Sequence, residues 1–169
     1  MIKLEKVLLK DKELLYTFHQ YMMYEMSAFY EDDMDDDGHF SYGYFEEYFA
    51  DINRSAYFIL EENKIIGFVM LHKYSYFNEV IDYNMAEFTI FPAYRGKHFA
   101  KEAVLEIFKT HIGKWEIKYN VKNIKAKNMW TSLCKVYKPI IKKFDVDQEV
   151  LCFSNEEERW KLRIKERAL

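Results

Sequence analysis

A chain of 169 residues is long enough for one domain with a full core and too short for two comfortable ones. Its formal net charge of -3, with lysine and arginine dispersed, argues against nucleic acid as the main partner, because neutralising phosphates needs a dominant basic face. Hydrophobic residues make up 50% and aromatics 18%, which excludes a disordered chain.

Met1 to Lys6 lacks the apolar core of a signal peptide, and no run approaches the roughly 20 apolar residues that span a bilayer, so a cytoplasmic protein without a membrane partner is expected. Residues 2–9 read as a first strand. Asp11 then stands as a helix N-cap, with Leu14, Leu15, Phe18, Met22, Met26 and Phe29 along one face of a long helix. This stripe is core-like, although Tyr16, Tyr21, Tyr24 and Tyr30 leave room for a few tyrosines in a cleft. The run from Glu31 to Gly38 carries too many carboxylates to be buried, which makes it a solvated loop. It is either a mere connection or an anionic rim that attracts a cation.

Tyr42 to Ile52 reads as a second short helix, with Tyr44, Phe45, Tyr48 and Phe49 on its apolar side. Ala56–Leu60 and Ile65–Leu71 are strands joined by a hairpin turn at Glu61 to Lys64, and Gly67 marks a bulge or a close backbone approach. The next strand carries Glu87 and Phe88. A helix then runs from Gly96 to about Ile112, closed by Gly113. Lys114 to Tyr119 alternates as a strand, Asn123 opens another helix, Pro139 interrupts the pattern, and Glu149 to Ser154 forms the last strand. The charged stretch 155–165 reads as an exposed or a partner-binding helix. Cys134 and Cys152 have no metal spacing and read as free thiols, and no metal is expected. The order of strand, two helices, three strands, helix, strand, helix, strand is that of a single α/β (α+β) domain over 1–169. Its mixed central sheet would have six to seven strands, flanked by helices.

The chemistry concentrates at Glu87-Phe88-Thr89-Ile90-Phe91-Pro92, followed by Arg95-Gly96-Lys97-His98-Phe99-Ala100. Pro92 ends the strand for want of an N–H, and the helix that follows opens with unpartnered amides and a positive dipole end, a natural anion site. Thirty residues on comes Asn123-x-x-Ala126-x-x-Met129-Trp130. The first hexad resembles the R-G-x-G-x-A pyrophosphate loop of the GNAT superfamily of acetyl-CoA-dependent N-acetyltransferases, with His98 in the place of the second glycine. The second motif resembles that family's Asn-x-x-Ala-x-x-aliphatic-Tyr helix start, with Trp130 in the tyrosine place.

The resemblance implies that the fourth and fifth strands splay around the pantetheine arm of acetyl-CoA. Phe88, Thr89 and Ile90 would then bond the arm, Arg95, Gly96, Lys97, His98, Phe99 and Ala100 would hold the pyrophosphate, and Asn123 would contact the arm from the other side. A helix-entry position is expected to have φ below zero, so His98 is read as a tolerated substitution. The acceptor would be a primary amine of a cationic small molecule or peptide. Such an amine is an ammonium at neutral pH and needs a base, for which Glu87 is the candidate; a structural ion pair is the alternative. The fifth-strand position where some members carry a glutamate is Lys118, and Trp130 cannot act as the acid, which leaves Tyr137 or water. Asp35, Asp36 and Asp37 lie in the loop over the acceptor side and are read as substrate-attracting residues. A homodimer is compatible with all of this. The alternative function is a catalytically weak acyl-CoA-binding or interaction module with the same fold.

Overall fold

The computed structural model describes residues 1–156; the tail from 157 onward lies outside the described residues, and with it most of the helix read at 155–165. The strands are β1 (Ile2–Lys6), β2 (Arg54–Glu61), β3 (Lys64–His72), β4 (Tyr83–Ile90), β5 (Lys114–Asn120), β6 (Ile140–Asp145) and β7 (Gln148–Ser154). The α-helices are α1 (Lys12–Tyr30), α2 (Phe99–Thr110) and α3 (Ile124–Cys134). The seven strands form one sheet in the order β1-β2-β3-β4-β5-β7-β6, antiparallel throughout except for the β4–β5 pair. This is the mixed, helix-flanked α/β sheet expected.

Successive residues of a strand face opposite sides of the sheet, and here both sides are covered. Phe68 and Met70 of β3 pack with Leu15 and Met22 of α1, while Val69 and Leu71 pack with Val104, Ile107 and Trp130 of α2 and α3. A strand covered on both faces is apolar along its length, which explains the near-continuous run of β3. Glu62 and Asn63 turn the β2–β3 hairpin at φ 48° and 65°, as a two-residue turn requires.

Four points of the sequence reading need correction. Tyr42 to Ile52 is not an α-helix: only a 3-10 turn, Glu46–Phe49, forms there, held by i to i+3 bonds such as Tyr48 N–H to Phe45 O at 3.2 Å. Phe45 and Tyr48 are nonetheless buried, because tertiary packing and not helix length holds so short a segment, whereas Tyr44 is exposed and not on an inward face. The helix read from Gly96 starts at Phe99, leaving Arg95 to His98 as a loop. β6 has no counterpart in the sequence reading, because it is an edge strand with mostly exposed side chains and so no apolar alternation. Asn155, placed at the start of a charged tail, is instead buried and closes α2: it accepts from Gly113 N–H at 2.8 Å and donates to the carbonyls of Phe108 and His111, both at 3.0 Å.

Gly67 is the close approach its place in a strand implies. A Cβ there would stand 2.1 Å from the carbonyl oxygen of Thr89 and 3.1 Å from Ile90 Cα. Gly67→Ala must therefore push β3 away from β4 or strain both, and we expect it to lower unfolding free energy by about 3 kcal/mol or more in urea denaturation. An unchanged midpoint and slope would contradict the register.

Candidate active site

Two irregularities of β4 create the site. Met70 pairs with Glu87 and Leu71 with Met85, so Ala86 is an extra residue on β4, a bulge that bends the strand and re-aims its neighbours. On the other side, β4 and β5 pair only at Tyr83 with Trp115, Asn84 with Glu116 and Met85 with Ile117. Beyond that last pair, Ala86–Ile90 and Lys118–Asn120 diverge, and a cleft of about 520 Å³ opens between them. Among its lining residues are Glu87, Phe88, Thr89, Ile90, Arg95 and Ala100 from the β4–α2 side, Lys118 to Asn120 from β5, Asn123, Ala126 and Trp130 around α3, and Met26 and Tyr30 from α1.

Glu87 and Lys118 face each other across the vertex of this wedge. Burial pushes the Glu87 carboxyl up to about 7, against the opposing pull of the Lys118 charge and a hydrogen bond from Tyr42. Desolvation lowers the Lys118 ammonium, and the charges of Glu87 and Asp145 work against that. Four phenols surround the carboxylate. Tyr30 and Tyr48 are each pushed up to about 12, and Tyr42 and Tyr76 are raised further, in every case first by burial, with the Glu87 charge adding to it. They therefore remain hydrogen-bond donors at any physiological pH. Tyr42, Tyr48, Tyr76 and Lys118 were not assigned to the site from sequence, because they come from three separate segments that only the fold brings together.

The α2 entry differs from expectation at two residues. His98 stands at the helix N-cap with φ 65°, the left-handed region, so the expected φ below zero is wrong; the glycine of the R-G-x-G-x-A pattern serves this backbone conformation directly. Gly96 is likewise at φ 75°. The Arg95 guanidinium is bound within the protein: its Nη atoms donate to both carboxylate oxygens of Glu25 on α1, at 3.2 and 2.6 Å, and its Nε donates to Ile90 O at 2.6 Å. Lys97 is exposed and donates to Ala93 O at 3.2 Å. Asn123 is the N-cap read from the sequence, accepting from Ala126 N–H at 3.1 Å.

Other residues lie apart from the chemistry. Asp35, Asp36 and Asp37 are exposed and stand outside the cleft lining; one Asp35 oxygen accepts from the Asp37 and His39 amides and so holds the loop's own turn. Trp130 is buried edge-on against Phe88, with ring centroids 5.3 Å apart. Tyr137 stacks on Phe153 at 5.2 Å, outside the cleft lining, so the structure does not bring it to the site as an acid.

A family profile described as "Acetyltransferase (GNAT) family" matches residues 17–134, from α1 to the end of α3. The chain belongs to the GNAT acetyltransferase family. Solved structures that share the fold include an acetyltransferase from Thermus thermophilus, 16% identical with a TM-score of 0.62 over 90% of this chain and 95% of that one. The PaiA N-acetyltransferase of Thermoplasma acidophilum in complex with coenzyme A is 14% identical, TM-score 0.58, over 91% and 99% of the two chains. Spermidine N-acetyltransferase from Vibrio cholerae, in complex with CoA and spermine, is 14% identical, TM-score 0.59, over 89% and 92%. No match was found among curated proteins. In this GNAT chain the motif loop lies between the end of β4 and the start of α2.

The left-handed His98 gives a direct test. Glycine at this position escapes the roughly 1–2 kcal/mol cost of a Cβ in left-handed backbone, less what glycine loses in chain entropy. We expect His98→Gly to be more stable than His98→Ala by about 1 kcal/mol in urea denaturation, with acetyl-CoA affinity unchanged or improved. The reverse order of stability would show that His98 is not strained.

Proposed function

We propose that this protein transfers an acetyl group from acetyl-CoA to a primary amine of a cationic small molecule or peptide, with Glu87 as general base. The observation that carries the reading is the parting of β4 and β5 at Met85 and Ile117, with Glu87 at the vertex and its carboxyl raised to about 7. The strand edges past the last pair have no ladder partner across the gap, so an extended ligand with amide groups suits them. Phe88, Thr89 and Ile90 would hold such an arm from one side and Asn123 from the other. The loop Arg95 to Ala100, with the open amides of the first turn of α2, suits a pyrophosphate. A phosphate there would compete with Glu25 for the Arg95 guanidinium, and the pair is partly exposed and so readily exchanged.

When bound, acetyl-CoA supplies a thioester carbonyl carbon as electrophile. The chain's own task is then to deliver a neutral amine to it. A carboxyl with a pKa near that of the medium is well matched to accept a proton from an ammonium, directly or through one water. The phenol of Tyr42 donates to Glu87 and fixes its orientation. Trp130, in the tyrosine place, has only an indole N–H and offers no acid, and proton return to the leaving sulfur falls to water.

Two features support a cationic acceptor. Glu31, Asp32 and Asp33 follow the C-terminal, negative end of α1 at the cleft mouth, where the charge of Asp32 reaches Tyr30, and Asp35, Asp36 and Asp37 extend the same field outward. A structural neighbour, the Vibrio cholerae enzyme, was solved with spermine. The second reading, a weakly catalytic acyl-CoA-binding module, draws on His98 and Trp130, and applies if acetyl-CoA binds but no thiol is released with any amine.

Only the carboxylate form of Glu87 can take a proton, so kcat/KM should climb with pH through about 7 and lose its activity below that value. Glu87→Gln should lower kcat by about 10² to 10⁴ and remove this limb while leaving acetyl-CoA affinity nearly unchanged. A variant as active as wild type across the range would make Glu87 structural.

A further inference from the structure

Next to Glu87 the structure holds an alkylammonium already: the protein's own. Lys118 Nζ lies 4.6 Å from the ring centre of Tyr76 and 4.9 Å from that of Phe144, and those two rings are themselves 5.0 Å apart. Among the described residues no carboxylate lies within ion-pair distance of Lys118, so its charge is met by two aromatic faces and by the longer-range fields of Glu87 and Asp145. An ammonium within about 6 Å of a ring face is attracted by its quadrupole.

The two rings reach this point from different directions, and one of them is fixed by a buried pin. Tyr76 lies in the β3–β4 connection, where Glu116, 1% exposed, accepts from Tyr76 N–H at 2.8 Å and from the Ser75 hydroxyl at 2.6 Å. Asn84, fully buried on β4, donates to Tyr74 O at 3.2 Å and holds the same connection from beneath. Phe144 comes from β6 and is 42% exposed. Lys142 on β6 lies over Phe77 at 4.9 Å and pairs with Glu79, which draws the hairpin to the connection. Phe144 thus gives the pair an open side.

We infer that Tyr76 and Phe144, beside Glu87, form the subsite for the acceptor's ammonium, and that Lys118 occupies it as a placeholder until a primary alkylammonium displaces it. This rests on the acetyltransferase reading of the cleft. The ligand class follows from the occupant: a primary ammonium on an unbranched alkyl stem, as in lysine itself. Two electron-rich faces and a carboxylate disfavour an anionic acceptor group at this point.

The test uses n-butylammonium and Lys118→Met, which keeps the length of the stem and removes its charge. Binding is followed by calorimetry at a pH well above 7, so that Glu87 is ionised in both proteins. Lys118→Met should bind the probe roughly three- to thirtyfold tighter than wild type, and Phe144→Leu or Tyr76→Leu in that background should remove the gain. Phe144 is partly exposed, so its variant should fold even if Tyr76→Leu does not; thermal melting checks both. In turnover, KM for an alkylamine should fall in Lys118→Met with acetyl-CoA affinity constant. Equal or weaker probe binding by Lys118→Met, or a gain that survives loss of Phe144, overturns the subsite. Failure of acetyl-CoA to bind any of the proteins instead overturns the acetyltransferase reading, and the probe titration still decides the subsite.

Discussion

The parting of β4 and β5 is the constraint on which the rest of the molecule depends. Each strand is fully paired on its outer edge, β4 with β3 and β5 with β7, so neither can turn to close the gap after Met85 and Ile117. The inner edges past that point are left with hydrogen-bonding groups that no strand satisfies, in a setting where unpaired backbone is costly. The bulge at Ala86 bends β4 away, Gly67 lets β3 follow it at a distance no side chain would allow, and Trp130 wedged against Phe88 fills the core beneath. A ligand that imitates a strand is the natural complement of such a gap.

Charge at the vertex of the wedge is arranged so that Glu87 is not neutralised outright. Among the described residues Glu87 has a cation near it but no ion pair, one phenol, Tyr42, that donates to it, and three more, Tyr30, Tyr48 and Tyr76, that feel its charge. That is the setting in which a carboxyl keeps a pKa near 7 and remains able to exchange a proton. The other end is the opposite case: Arg95 is paired with Glu25 on α1 and bonds Ile90 O on β4, and so ties helix, strand and motif loop together. The C-terminal turn of the same helix, α1, carries Tyr30 into the cleft lining.

What the sequence made legible was whatever depends on local pattern. The apolar face of α1 from Leu15 onward, though not the exposed Leu14, the β2–β3 hairpin, the close approach at Gly67, the cap at Asn123 and Glu87 on β4 are all set by neighbours a few residues away. What escaped it depends on distant partners. β6 hides because an edge strand need not alternate, the 3-10 turn at Glu46–Phe49 borrows its order from the sheet it packs on, and His98 adopts a left-handed φ that its residue type disfavours. The surroundings of Glu87 and Lys118 were least legible of all, since Tyr42, Tyr76, Lys118 and Phe144 lie in four different elements or loops, and the pin at Glu116 is a buried carboxylate that a period-two strand pattern cannot distinguish from a solvated one.

Amide hydrogen exchange, with and without acetyl-CoA, tests most directly whether the wedge is the cofactor site. The account predicts slowed exchange on β4 beyond Met85 and at the Gly96–Ala100 loop with the first turn of α2, while the β2–β3 hairpin turn stays unchanged. Saturating acetyl-CoA that protects other segments and leaves β4 and this loop exchanging as before would contradict it.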